Sequence, residues 1–429
     1  MSDLTRRHFI QMMGGAGAMS TITAWPMVAS GGQSEGRVVI IGGGFGGATC
    51  AKYLRQLAPA VKVTLIERDQ EFITCPFSNA VLGGLYDIDF ITRGYDALRD
   101  KHGVEVIHNS ATAIDPTAKT VKLETGTTLH YDRLVVSPGI DFQWGAIEGY
   151  DEAASTRMPH AWKAGPQTLL LRSQLEAMPD GGVVIIAAPR NPFRCPPGPY
   201  ERASMIAHYL KQAKPKSKIR IFDAKDKFSK QPLFQQGWEA LYPGMIEWIP
   251  ESEGGAIEAV DVKSMAVHPT FGNPQKGDVI NIIPPQKAGA IAQIAGLAGE
   301  GDWCAVDQRT FESTVHKDVY VIGDAAIANP MPKSGFAASS QGKVCAAALA
   351  ASLSGQEMPE PSYVNTCYSL VGPEYGISVA GVYRIGDKGI FSVEGAGGVS
   401  PKDADTSFRG DEARYAVGWY QSITSDIWG

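Results

Sequence analysis

Residues 37–67 read RVVIIGGGFGGATCAKYLRQLAPAVKVTLIE, and this stretch decides the fold. Val38 to Ile41 is an apolar run of strand length. Gly42-x-Gly44-x-x-Gly47 follows at once, residues 48–57 continue as a helix, and a second strand, KVTLIE, ends on Glu67. Together they make one βαβ unit. The glycines permit a tight turn and let backbone approach a pyrophosphate. The helix N-terminus offers free N–H groups and a positive dipole end, and Glu67 can hold a ribose hydroxyl. A glycine triplet alone is weak evidence. Set between strand and helix, with the acid 25 residues after Gly42, it specifies a dinucleotide site.

Two later strand ends narrow the choice. DRLVVSPGID (132–141) closes on a Ser-Pro-Gly turn containing Gly139, and KDVYVIGDAAI (317–327) closes on Gly323-Asp324. This trio, in this order, resembles the two-dinucleotide-binding flavoprotein superfamily. The resemblance implies FAD, with Asp324 on its ribityl chain, and a second βαβ domain inserted into the first. The expected fold class is therefore α/β. Two Rossmann-like dinucleotide-binding-type domains are joined by a small C-terminal α+β domain. The expected boundaries are 36–149 with 286–355 for the FAD-binding domain and 150–285 for the second Rossmann-like domain. Residues 356–429 form a C-terminal interface domain, with short strands in GISVAGVYRI and KGIFSVEG.

The second unit opens with VVIIAAPRNPFRCPPGPYER (183–202). A pyridine nucleotide needs glycines after such a strand. Here Pro189, Pro192, Pro196 and Pro197 stand in the loop; they remove N–H donors and block close approach of a pyrophosphate. The acid after the next strand, Asp223, means little without the glycines. The domain is expected to keep its architecture and take no NAD(P), so electrons come from another donor. Cys195 sits just before a helix beginning near Pro199, where the dipole would stabilise a thiolate. From the residues alone it is a reactive sulfur, a buried structural cysteine or one half of a stabilising disulfide.

Composition sets outer limits. The chain has 429 residues, 44% apolar and 20% charged, with a formal charge of −6. That is ordinary for a globular protein and offers no basic surplus for nucleic acid. No internal run is long and apolar enough to suggest a membrane span. Residues 1–30, MSDLTRRHFIQMMGGAGAMSTITAWPMVAS, carry the twin arginines Arg6 and Arg7, then Phe9-Ile10 and small residues. They resemble a bacterial twin-arginine export signal, cleaved near Ala24 or Ala29, and imply a folded, cofactor-loaded passenger in the periplasm. Six cysteines are present, none in Cys-x-x-Cys or Cys-x-x-Cys-His spacing. No metal site and no haem attachment are therefore expected in this chain.

Four further stretches carry a more specific resemblance: FITCPFSN (72–79), FRCPPGPYER (193–202), NIIPPQKAG (281–289) and MPKSGFAASSQGK (331–343). With the export signal and the tail ending WYQSITSDIWG, they resemble the flavoprotein subunit of flavocytochrome c sulfide dehydrogenase along the whole chain. The resemblance implies that Cys75 is bonded to the 8α-methyl of FAD. It also implies a redox-active disulfide between Cys195 and Cys367 above the flavin, with Glu201 handling protons; an acid in the first helical turn is also an ordinary choice for the helix dipole. Sulfide would open the disulfide by thiol–disulfide exchange, leaving a persulfide and a thiolate. Two electrons then pass to FAD and onward to a separate c-type cytochrome. A helix starting near Gly335 is expected to point its N-terminus at the flavin; Lys333 either adds positive charge there or is a solvated loop lysine. Cys50 and Cys345 read as core packing, and Cys304 has no assigned role. Two rival functions remain: a sulfide:quinone oxidoreductase, and a non-catalytic electron-transfer flavoprotein. The first would be expected to carry an apolar amphipathic C-terminal anchor. Residues 402–429 are polar and weakly amphipathic.

Overall fold

The computed structural model describes residues 36–299 and 301–429; the expected export signal lies outside them. Val38–Ile41 is buried along its whole length, as a central parallel strand covered on both faces must be. Five parallel strands run in the order Val319–Val321, Arg133–Val136, Arg37–Ile41, Lys62–Glu67, Glu105–His108. The late strand Val319–Val321 pairs with Arg133–Val136, so the chain returns to its first sheet after a long excursion. Helices Phe45–Leu57 and Gly335–Ser354 pack against each other. A side chain at Gly342 would meet the carbonyl oxygen of Gly46 at 2.6 Å, so the crossing is possible only with a bare backbone.

The excursion builds a second parallel sheet in the order Ile246–Ile249, Lys218–Asp223, Val183–Ala188, Val279–Ile282. Helix Gly198–Ala213 connects its first two strands in sequence, which makes the second βαβ unit. Ile140–Phe142 and Gln286–Ala288 pair antiparallel where the chain leaves the first sheet and comes back.

The C-terminal part is a long hairpin, Ser362–Gly372 with Tyr375–Gly386, extended by Gly389–Ser392 and Gly398–Val399. A 23-residue helix, Thr406–Trp428, follows and was not foreseen from the polar tail. It is capped by Asp405, whose side chain accepts from Phe408 N. Its inner face buries an Arg409–Glu412 ion pair beside Ala416, Tyr420, Ile423 and Trp428. Charged residues on the buried side flatten the hydrophobic pattern that would have revealed the helix. Trp428 stacks on Phe72 at 5.3 Å and meets Phe45 edge-on at 5.2 Å. The Lys52 ammonium donates to the carbonyls of Asp426 and Gly429, holding the helix C-terminus against the helix of the first βαβ unit. Tyr420 and Trp428 of this helix are buried inside. Among the described residues, no helix is long and apolar enough to cross a membrane.

Candidate functional site

A cleft of about 710 Å³ runs from the first glycine turn to the hairpin of the C-terminal part, a size suited to a cofactor. Gly42, Gly44, Glu67, Gly139, Gly323, Asp324 and Gly335 line it, and so do Cys75, Cys195, Glu201 and Cys367. Two expected residues, Gly47 and Lys333, lie outside it.

At the turn, Gly42 has φ +98°, and a Cβ there would sit 2.2 Å from the Ser137 carbonyl oxygen. Gly47 serves the close packing of helix on strand instead: its Cβ would lie 1.9 Å from the Gly42 oxygen. Glu67 Oε2 accepts from Gly43 N at 2.7 Å and Oε1 from Asp69 N at 3.2 Å. The acid therefore braces the turn as well as facing the cleft.

Nearby on the cleft wall, Asp324 is buried and its Oδ1 has no hydrogen-bond partner. Burial pushes its carboxyl above the usual range. An orphaned carboxylate oxygen on a cleft wall suits a hydroxyl-bearing ligand. Helix Gly335–Ser354 starts beside it, capped by Ser334, which accepts from Ala337 N at 3.1 Å. Together with the glycine turn, these groups fit FAD. Lys333 is a correction. Its ammonium donates to the carbonyls of Asp324 at 2.6 Å and Ala326 at 3.1 Å and lies 3.8 Å from the centre of the Trp303 ring. Burial pulls it down to about 8. The expected positive charge at the flavin edge is thus spent on loop carbonyls and an aromatic face.

Three sulfurs line the cleft where it reaches the hairpin. Cys75 donates to the Trp162 carbonyl at 3.4 Å. Cys195 holds the left-handed conformation, φ +58°, pinned by its N–H on the Lys333 carbonyl at 2.7 Å and by Gly198 N on its own carbonyl at 2.8 Å. Cys367 projects from strand Ser362–Gly372. Cys195 and Cys367 are near enough for the charge of one to act on the other, and they are unbonded here. Cys195 stands just before the start of helix Gly198–Ala213. The helix start binds its carbonyl, and burial pushes the thiol well up, with Cys367 and Glu201 adding to the rise.

Glu201 is held by Leu370 N at 2.8 Å and Asn79 Nδ2 at 3.0 Å. Burial still raises its carboxyl above the usual range, those two bonds opposing. The folded state therefore keeps a proton that the unfolded state has lost. Stability should fall as pH rises from the ordinary carboxylate range to the folded pKa of Glu201. Glu201→Gln is expected to flatten that slope in chemical denaturation at several pH values; an unchanged slope would show that the burial costs nothing.

Beneath this group lies a network that the sequence did not announce. Arg202, 1% exposed, donates to Asn79 Oδ1, Asn281 Oδ1, and the carbonyls of His160 and Ala161. Its guanidinium lies 4.9 Å from the centre of the Trp162 ring, and burial pulls it down to about 10. His160, pushed down to about 3 by burial, stays neutral and accepts from Trp162 N at 3.0 Å. Asn79, Arg202 and Asn281 come from FITCPFSN, FRCPPGPYER and NIIPPQKAG, three of the stretches that carry the resemblance.

In the second sheet Asp223 is fully buried. It accepts from Tyr200 OH at 2.5 Å, Trp248 Nε1 at 2.9 Å and Lys225 Nζ at 2.5 Å. Phe228 stacks on Tyr200 with 3.6 Å between ring centres. The acid that would face a ribose is consumed by its own domain. Cys50 and Cys345 are buried neighbours in the core, burial pushing the Cys345 thiol well up, and Cys304, buried, is pushed up to about 11. Among the described residues, no cluster of His, Cys, Asp and Glu forms a metal site.

Comparison with known proteins agrees with this layout. The family model for pyridine nucleotide-disulphide oxidoreductases matches residues 36–162. The model for the central part of the sulfide dehydrogenase (flavocytochrome c) flavoprotein chain matches 168–284. The flavin-binding model of flavocytochrome c sulphide dehydrogenase matches 359–428. A solved sulfide:quinone oxidoreductase from the hyperthermophilic bacterium Aquifex aeolicus shares the fold, at TM-score 0.70 and 21% identity, over 91% of this chain and 92% of that one. The mitochondrial sulfide:quinone oxidoreductase of Dictyostelium discoideum is 22% identical over 326 residues, 72% of this chain and 69% of that protein. The sulfide dehydrogenase (flavocytochrome c) flavoprotein chain of Chlorobaculum thiosulfatiphilum is 67% identical over 45 residues, 10% of this chain and 94% of that sequence. With its dinucleotide, central and C-terminal parts all matched, the chain belongs to the flavocytochrome c sulfide dehydrogenase flavoprotein family and is an FAD-binding oxidoreductase of the sulfide dehydrogenase type.

Proposed function

We propose that this chain oxidises sulfide at a Cys195–Cys367 disulfide and passes the electron pair through FAD to a c-type cytochrome. One observation carries the reading. Two cysteines 172 residues apart in sequence meet Glu201 and Cys75 in the cleft that begins at the glycine turn. FAD, when bound, supplies a two-electron acceptor in that cleft. The chain's own residues do the rest. Hydrosulfide attacks one sulfur of the disulfide, forming a persulfide and freeing the other as a thiolate. Once the electron pair of the freed thiolate has passed to that acceptor, closure of the disulfide would release the sulfur at the zero-valent level, and Glu201, protonated more readily than an ordinary carboxyl, takes up the proton that hydrosulfide gives up. Cys75 is proposed as the covalent 8α anchor of the flavin.

The same reading makes the protein periplasmic after export and independent of NAD(P). The internal use of Asp223 and the prolines before the Gly198–Ala213 helix support the latter. The likeness to sulfide:quinone oxidoreductases supports a second reading with a quinone acceptor. Against it, the apolar side of helix Thr406–Trp428 is spent on the interior, with Ala416 and Trp419 lining the cleft. Sulfide added anaerobically is expected to bleach the flavin, and oxidised c-type cytochrome, but not a soluble quinone, to restore its colour. Recovery with quinone alone would establish the second reading; absence of bleaching would point to a non-catalytic flavoprotein.

A further inference from the structure

Lys230 is buried and makes no ion pair among the described residues, the Glu201 carboxyl being near enough only to feel its charge. It is 6% exposed and holds a left-handed conformation, φ +61°, at the start of helix Gln231–Leu241. Among the described residues, the lysines in ion pairs are Lys119, Lys163, Lys225 and Lys343, and Lys230 is not one of them. Its ammonium donates to Ser369 Oγ at 2.8 Å and to the Ile377 carbonyl at 3.5 Å. That uses two of three donors. Ser369 lies two residues beyond Cys367 on one strand, so the two side chains share a face and the ammonium lies on the Cys367 side. A charge buried this way is costly unless a counter-charge arrives.

The sites of the two sulfurs are not equivalent. Burial pushes both thiols up. Glu201 adds to the rise of both; the largest charge acting on Cys367 is the Lys230 ammonium, which pulls it down, whereas the largest acting on Cys195 is Cys367, which pushes it further up. Arg194 opposes that rise more weakly and has its guanidinium on the Trp162 carbonyl. Arg202 already spends four of its five N–H donors on oxygens.

We propose that Lys230 is a positioning residue that makes Cys367 the leaving thiolate, so that hydrosulfide attacks Cys195. The inference rests on the disulfide reading above. In this step the hydrosulfide sulfur bonds to Cys195 Sγ, the Cys195–Cys367 bond breaks, and its electron pair goes to Cys367 Sγ beside the ammonium. No proton has to move, and the better-stabilised thiolate leaves faster.

Sulfite tests this directly, because it splits a disulfide into one S-sulfonate and one thiolate. The oxidised full-length holoprotein is treated briefly with sulfite, alkylated, digested and mapped by mass spectrometry. The sulfonate is expected on Cys195 in about tenfold excess over Cys367. Lys230→Gln should bring the ratio towards one, and Lys230→Arg should keep the excess. Sulfonate mainly on Cys367, or an unchanged ratio in Lys230→Gln, overturns the proposal. Should Lys230→Gln fail to fold, the native protein and Lys230→Arg still decide it. If neither cysteine takes sulfite and both alkylate without reduction, the disulfide reading itself falls, and this proposal with it.

Discussion

Cys195→Ser and Cys367→Ser are each expected to retain FAD and to lose sulfide-dependent flavin reduction by at least about 10³-fold, as removal of a group in a covalent cycle does. Serine preserves the size of each side chain, so the cleft should keep its shape. It cannot form the disulfide that hydrosulfide opens. The two losses should not add, because the sulfurs act as one unit, and the double variant should be no worse than either single one. The measurement is stopped-flow bleaching of the flavin under anaerobic conditions. Bleaching at the native rate in either variant would remove the disulfide from the mechanism.

Gly47→Ala is expected to yield protein that holds no FAD. The new methyl group would lie 1.9 Å from the Gly42 carbonyl oxygen, and both partners are backbone of the same strand–turn–helix. Overpacking in a core costs about 1–3 kcal/mol where side chains can shift. Here none can, so the turn itself must open. Gly418→Ala is the control: it lies within helix Thr406–Trp428, and its added carbon meets nothing within 4 Å. The ratio of flavin to protein after purification, with far-ultraviolet circular dichroism to follow folding, separates a lost site from a lost fold. Full flavin content in Gly47→Ala would show that the helix is free to move away from the turn.

The parts of the molecule legible in its sequence are those built from local pattern. Strand, glycine turn and helix at 37–67 are contiguous, so their geometry is written in adjacent residues. The same holds for the helix starting at Gly335 and for the strand at Val319–Val321. The meeting of Cys195 with Cys367 is different. No spacing rule links residues so far apart, and only the resemblance paired them before the structure placed both on one cleft. Arg202 was invisible for a related reason: in PYERAS it reads as an ordinary helical arginine. Its burial depends on Asn79, His160 and Asn281, which come from three other segments. The terminal helix hid behind its own buried ion pair, Arg409 with Glu412. Lys333 was misplaced because a lysine before a helix start reads as a charge for the ligand. Folding instead gives its ammonium two carbonyls and a tryptophan face.

Peptide mapping of the native, unreduced protein by mass spectrometry tests the central claim most directly. The account predicts a cross-linked peptide joining Cys195 to Cys367 and, separately, a flavin mass on the peptide containing Cys75. Free Cys195 and Cys367 in the oxidised, active protein would contradict it.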